Sequence, residues 1–76
     1  MELRTIFLQR LHSLRKESGE TQVQVANAIG VSPRYYQKLD AGENLPGLEA
    51  FCALADHFGV SLDYLAGRAQ EKEPRP

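Results

Sequence analysis

Arg34 and Lys38 are the pair in this chain whose types and spacing best suit a chemistry. Four residues apart on a helix, two side chains lie on one face, one turn above the other. Arginine offers five N–H donors in a planar fork, and lysine adds three on a flexible stem. Such a pair suits recognition of acceptor-rich partners: the O6 and N7 edge of guanine, or a phosphate. Pro33 and Tyr35 share this outward side, opposite Tyr36 and Leu39. A solvated face that happens to carry two cations is the plainer reading. Tyr35 suits a thymine methyl, a phosphate or a protein partner equally well, as an exposed aromatic with a polar tip.

No catalytic chemistry is legible. His12 and His57 are 45 positions apart in a chain with one cysteine, Cys52, and no third ligand accompanies them, so no metal site is expected. His57 near a helix C-terminus suits the local dipole, and Cys52 beside an apolar stripe reads as a packed side chain. Ser13, Ser18, Ser32 and Ser61 have no His and acid in an activating arrangement. No cofactor is implied.

The stretch from Thr21 to Gly42 must position the cations. Thr21 caps a helix, with Gln24 at the return position of a capping box. Val25, Ala26 and Ile29 recur at helical spacing, and Gly30 stops the helix. Ser32 caps the next helix, and Pro33 occupies its first position, where a missing N–H costs nothing. Val31 and Tyr36 form a hydrophobic staple across that cap. Leu39 continues the buried side, and Gly42 ends the helix. Two short helices around a turn containing glycine make a helix-turn-helix, whose second helix commonly enters a DNA major groove.

Around that unit the chain reads as further amphipathic helices. The first spans about Leu3 to Ser18, with Leu3, Phe7, Leu11 and Leu14 on one face and Ile6 widening it. After a loop, Glu43-Asn44-Leu45-Pro46-Gly47, a fourth helix carries Leu48, Phe51, Leu54, Ala55 and Phe58 up to Gly59. Ser61 caps a short fifth helix, with Val60 and Leu65 as a second staple, ending at Gly67. The fold class is all-α, five helices around one core. Residues 1–68 form the domain, and 69–76, with two prolines and no apolar stripe, read as a disordered tail.

Composition bounds the function. Seventy-six residues make one small domain with a modest core. No apolar run approaches the roughly 20 residues of a membrane helix, and the first sixteen residues lack a signal-peptide core. A single cysteine fits a reducing cytoplasm. Nine basic against ten acidic residues give a net charge of −1, which argues against a sequence-independent nucleic-acid binder but leaves room for a local basic face.

The segment Phe7 to Gly42, followed by Leu45 to Gly67, resembles the phage repressor/Cro helix-turn-helix family of bacterial regulators. The likeness rests on the Thr-Gln opening of helix two, the Gly-Val-Ser turn, the Leu-Asp-x-Gly end of helix three, and Gly-Val-Ser-Leu-Asp-Tyr-Leu. The resemblance implies sequence-specific binding of duplex DNA and a homodimer on a palindromic operator. It implies a phosphate contact for Gln22 at the start of helix two, where free N–H groups and the dipole favour anions. An exposed helix-forming Gln would look the same. It also implies a bridge from Arg15 to Asp40, fixing the recognition helix. Pro33, Arg34, Tyr35 and Lys38, with the Ser32 cap, are the expected groove-facing set.

Three residues depart from that pattern. The loop after helix three, often basic, begins with Glu43, which repels phosphate and leaves Asn44 and the backbone as donors. Gly47 stands where Ser or Thr often caps helix four, and Glu20 where a Leu often precedes the Thr-Gln pair. Tyr64, Leu62 and Leu65, with Leu45, are the expected dimer contacts, although Leu62 and Leu65 could equally close the end of their own core. The competing class is a protein-interaction module on the same fold, an antitoxin or partner-binding subunit, favoured by the near-neutral charge and the acidic loop.

Overall fold

A computed structural model describes residues 2–73. Its helices are α1 (Leu3–Ser18), α2 (Gln22–Ile29), α3 (Pro33–Asp40), α4 (Leu48–Phe58) and α5 (Leu62–Leu65). No strand occurs among the described residues. The capping signals operate as the sequence suggests. Thr21 accepts from the Gln24 amide and Gln24 returns the bond to Thr21, while Ser32 accepts from Tyr35 N–H and Ser61 from Tyr64 N–H. Each bond satisfies a donor that the helix itself leaves unpaired. Gly30 takes φ +77 at the turn between α2 and α3, a conformation that would crowd any Cβ. α4 begins at Gly47 without a side-chain cap.

The core draws on every helix. Phe7, Leu11 and Leu14 come from α1, Val25 and Ala26 from α2, Tyr36 and Leu39 from α3, Leu54 and Ala55 from α4, and Leu65 from α5. Phe51 and Phe58 are only partly buried against it, Phe51 tilted over Phe7 with ring centroids 6.1 Å apart. Burial pushes the Tyr36 phenol up to about 12, and the nearby Asp40 charge adds to that, so the ring stays neutral.

Several apolar positions fall elsewhere than their periodicity suggests. Leu3 and Leu48 lie at the first residues of α1 and α4, where the helix has not yet reached the core, and they are 50% and 77% exposed. Leu65 is wholly buried, so it closes its own core and cannot serve a partner. Tyr64 is half-buried beneath Arg10, whose guanidinium lies 4.2 Å from the ring centroid. Leu62 remains 43% exposed.

The chain after α5 also departs from the sequence reading. Arg10 donates to the carbonyls of Tyr64 and Ala69, Ser61 N–H donates to the Lys72 carbonyl at 2.9 Å, and Lys72 pairs with Glu17 at 3.1 Å. Residues 69–72 are therefore tied back onto α1 and the start of α5, where composition suggests disorder; residues 74–76 of the expected tail lie outside the described residues. The turn into this segment depends on Gly67, whose φ is +82 and whose missing Cβ would stand 2.5 Å from Ile6 Cγ2.

Candidate nucleic-acid interface

α3 is held from behind and presented in front. Its buried side inserts Tyr36 and Leu39 into the core, and its last residue, Asp40, is 7% exposed yet carries an acid. A buried carboxylate needs partners, and side chains of α1 and α2 gather around Asp40. Arg15 of α1 donates from Nη2 to Asp40 Oδ2 at 3.1 Å. Gln22 of α2 donates its amide to the same oxygen at 2.6 Å. His12 donates from Nε2 to the Asp40 carbonyl at 2.7 Å, with Oδ1 3.3 Å away. A carbonyl only accepts, so Nε2 carries the proton, and the contact satisfies one of the last free carbonyls of α3.

The expected bridge from Arg15 to Asp40 is therefore present, within a larger node. Gln22 enters that node, and one of its two amide donors faces Asp40. The amide carries a second N–H, which that bond leaves unused. Its backbone stands in the first turn of α2, where N–H groups lack helical partners.

In front, Arg34, Gln37, Lys38, Ala41 and Glu43 line one shallow hollow. Arg34 is exposed and Lys38 half-buried. Gln37 also borders a second cleft shared with His12, Arg15, Lys16 and Gln22, so it links the outer face of α3 to the start of α2. The structure thus gathers Arg34 and Lys38 at one surface and places Gln22 at the next. Ser32 and Pro33 are exposed at the leading end of α3, with the Ser32 hydroxyl engaged as a cap. Asn44 is exposed on the following loop.

Tyr35 has a different posture from the free aromatic that sequence suggests. It is half-buried, packs on the core, and its hydroxyl accepts from Gly47 N–H at 3.2 Å. That bond holds the loop against α3 and supplies a partner at the uncapped start of α4. The phenolic hydrogen stays free to donate.

Sequence reasoning passed over Gln37, Lys16 and His12. Gln37 lies three residues after Arg34, so helical spacing alone puts it on the same face. Lys16 adjoins Arg15 in the basic last turn of α1. His12 has no local signal, since its partner is 28 residues away. Glu20 and His57 likewise meet across 37 residues, His57 Nε2 donating to the Glu20 carboxylate at 2.9 Å. His57 therefore serves an acid on another element rather than only the end of α4.

A helix-turn-helix family model matches residues 11–65, from the middle of α1 to the end of α5. The chain belongs to this family, in its phage repressor/Cro form. Its relatives agree. The cryptic phage CTXphi transcriptional repressor RstR of Vibrio cholerae is 42% identical over 60 residues, covering 79% of this chain and 54% of that protein. The HTH-type transcriptional regulator AnsR of Bacillus subtilis is 35% identical over 69 residues, covering 91% of this chain and 60% of that protein. This helix-turn-helix chain thus spans a little over half the length of these curated relatives. Among solved structures, that of the SOS-response transcriptional repressor LexA from Eubacterium rectale superposes with a TM-score of 0.82 at 29% identity, covering 97% of this chain and 80% of that one. No described helix is long and apolar enough to cross a membrane.

Proposed function

We propose that this chain is the DNA-binding domain of a cytoplasmic transcription repressor that reads duplex DNA through α3. The observation that carries the proposal is the shared outer face of Arg34, Gln37 and Lys38 on a helix whose opposite side is locked into the core. A fixed helix with a free donor face meets the geometric need of major-groove recognition. Arg34 reads guanine through O6 and N7, Lys38 reaches guanine or a phosphate, and Gln37 suits adenine N6 and N7. Gln22, the start of α2, Ser32 and Asn44 hold phosphates, which fix register. Pro33 and Tyr35 flank the reading surface. The printed names of RstR and AnsR, a repressor and a regulator, support the same role.

A single helix covers few base pairs, so the operator is a palindrome read by two copies, with half-sites about 34 Å apart. Selection of bound sequences from random duplex DNA tests the proposal. Enrichment of a paired motif with guanine at fixed positions is expected. Recovery of unselected sequence would reject it.

One observation favours a second reading, a protein-interaction module on the same fold. Glu43 shares the hollow with Arg34 and Lys38 and places an acid beside the cations. The salt dependence of binding separates the two. Phosphate contacts release counterions, so affinity for duplex DNA should fall steeply as salt rises.

A further inference from the structure

Glu43 stands in the same hollow as Arg34, Gln37 and Lys38, yet it pairs with neither cation. Among the described residues, none of these four side chains forms a hydrogen bond or an ion pair. The hollow therefore offers free donors and a free carboxylate side by side, and a carboxylate is an acceptor only.

The position of Glu43 is set by the backbone. Glu43 N–H donates to the Lys38 carbonyl at 3.0 Å, and Gly42 N–H to the Leu39 carbonyl at 3.1 Å, with Gly42 at φ +81. This pair of bonds folds the chain back over the end of α3 and sets Glu43 beside the turn that carries Lys38. Arg4 of α1 fixes the turn from behind, donating to the Gly42 carbonyl at 2.9 Å. Tyr35 holds the far end of the loop through Gly47 N–H at 3.2 Å. The loop that carries Glu43 is thus held at both ends, and its acid is presented at a defined place next to Lys38.

We infer that Glu43 determines specificity by accepting a hydrogen bond from the N4 amino group of a cytosine, at the position next to that met by Lys38. The inference rests on the proposed reading of duplex DNA through α3 and names a base that its cations cannot select.

The chemistry of the groove chooses the base. A carboxylate brought to DNA is repelled by phosphates and by the acceptors guanine N7 and O6 and thymine O4. The donors it can meet in the major groove are the amino groups of cytosine and adenine. Adenine N6 lies between two acceptors, its own N7 and the O4 of the paired thymine, which face a carboxylate unfavourably. Cytosine N4 has an acceptor on one side only and an apolar C–H on the other. The G·C edge as a whole runs acceptor, acceptor, donor. Donors from Lys38 or Arg34 beside an acceptor from Glu43 complement that order. A third cation at this place would add affinity for every sequence alike. An acid adds discrimination, because sites without the amino group leave its charge unmatched.

Selection from random duplex DNA with the full chain and with Glu43→Ala and Glu43→Gln tests the inference. Glu43 is exposed, and its backbone bond to Lys38 survives both changes, so the fold is retained. Wild type should enrich cytosine at one fixed position per half-site beside the selected guanine. Replacing that C·G pair by T·A should weaken wild-type binding by roughly fivefold or more, and Glu43→Ala binding by less than about twofold. Glu43→Gln should move the preference at that position towards adenine, whose N6 and N7 match an amide. Guanine positions should stay as they are in both variants. If both variants bind every duplex more tightly and keep the wild-type preference position for position, Glu43 is a repelling charge only and the inference is overturned, while the DNA-reading proposal stands. A wild-type motif without the cytosine has the same consequence. A wild-type selection that enriches no motif rejects the DNA-reading proposal and this inference together.

Discussion

The Gln22 side chain donates to Asp40 Oδ2 at 2.6 Å, joining the first residue of α2 to the last residue of α3. The same oxygen accepts from Arg15 of α1, so one carboxylate ties three helices together behind the outer face of α3. The crossing of α2 and α3 is thus fixed by a polar node as well as by the core.

Removing that node should loosen α3. Asp40→Ala is expected to destabilise the domain by about 1–3 kcal/mol, because Arg15 and Gln22 lose a buried acceptor. Asp40→Asn keeps an oxygen there and should lose less than half as much. Urea midpoints of the three proteins measure the difference, and equal midpoints would remove the node's structural role.

The outer face of α3 should divide into reading and holding residues. Arg34→Ala is expected to cost roughly 1–3 kcal/mol of binding and to relax base preference at one position per half-site. Gln37→Ala should relax a different position. Gln22→Ala should weaken all sequences about equally and also lower the urea midpoint, since its amide serves Asp40. Repeating the random-duplex selection with each variant separates these outcomes; identical preference in wild type and Arg34→Ala would end the base-reading assignment.

Acid should expose the pairing of Glu20 with His57. The hydrogen bond from His57, with Ser18 adding to it, holds the Glu20 carboxyl below its ordinary 4.5. A carboxyl with a lowered folded pKa stabilises fully above its unfolded value, and that contribution is lost as pH falls through the folded one. The stability gap between wild type and Glu20→Gln should therefore be complete at pH 7 and shrink progressively below about 4.5. Thermal unfolding at pH 7 and pH 3 gives the comparison, and a gap of the same size at both would contradict it.

Two glycines test the attachment of the C-terminal segment. Gly19→Ala meets open space and should cost only the left-handed backbone penalty, about 1–2 kcal/mol. Gly67→Ala carries the same penalty and drives its Cβ to 2.5 Å from Ile6 Cγ2. It should cost more and release residues 69–72. Hydrogen exchange at the Ser61 amide, which donates to Lys72, should accelerate in Gly67→Ala and stay unchanged in Gly19→Ala.

The order of helices, their caps and most of their core positions were legible in the sequence because each depends on residues within one or two turns. Thr21 with Gln24, Ser32 with Pro33, and the spacing of Phe7, Leu11 and Leu14 carry their meaning locally. The outward placement of Arg34 and Lys38 followed from the same periodicity, and so would that of Gln37. What tertiary structure alone decided is which side chains meet across long separations. His12 reaching Asp40, His57 reaching Glu20, Tyr35 holding Gly47, and Arg10 capping Tyr64 all join elements whose approach is set by packing. It also decided that Leu65 turns inward while Leu48, equally apolar, stays in water. Periodicity assigns a residue to a face of its helix, but burial requires another element over that face, and at the first turn of α4 none is there.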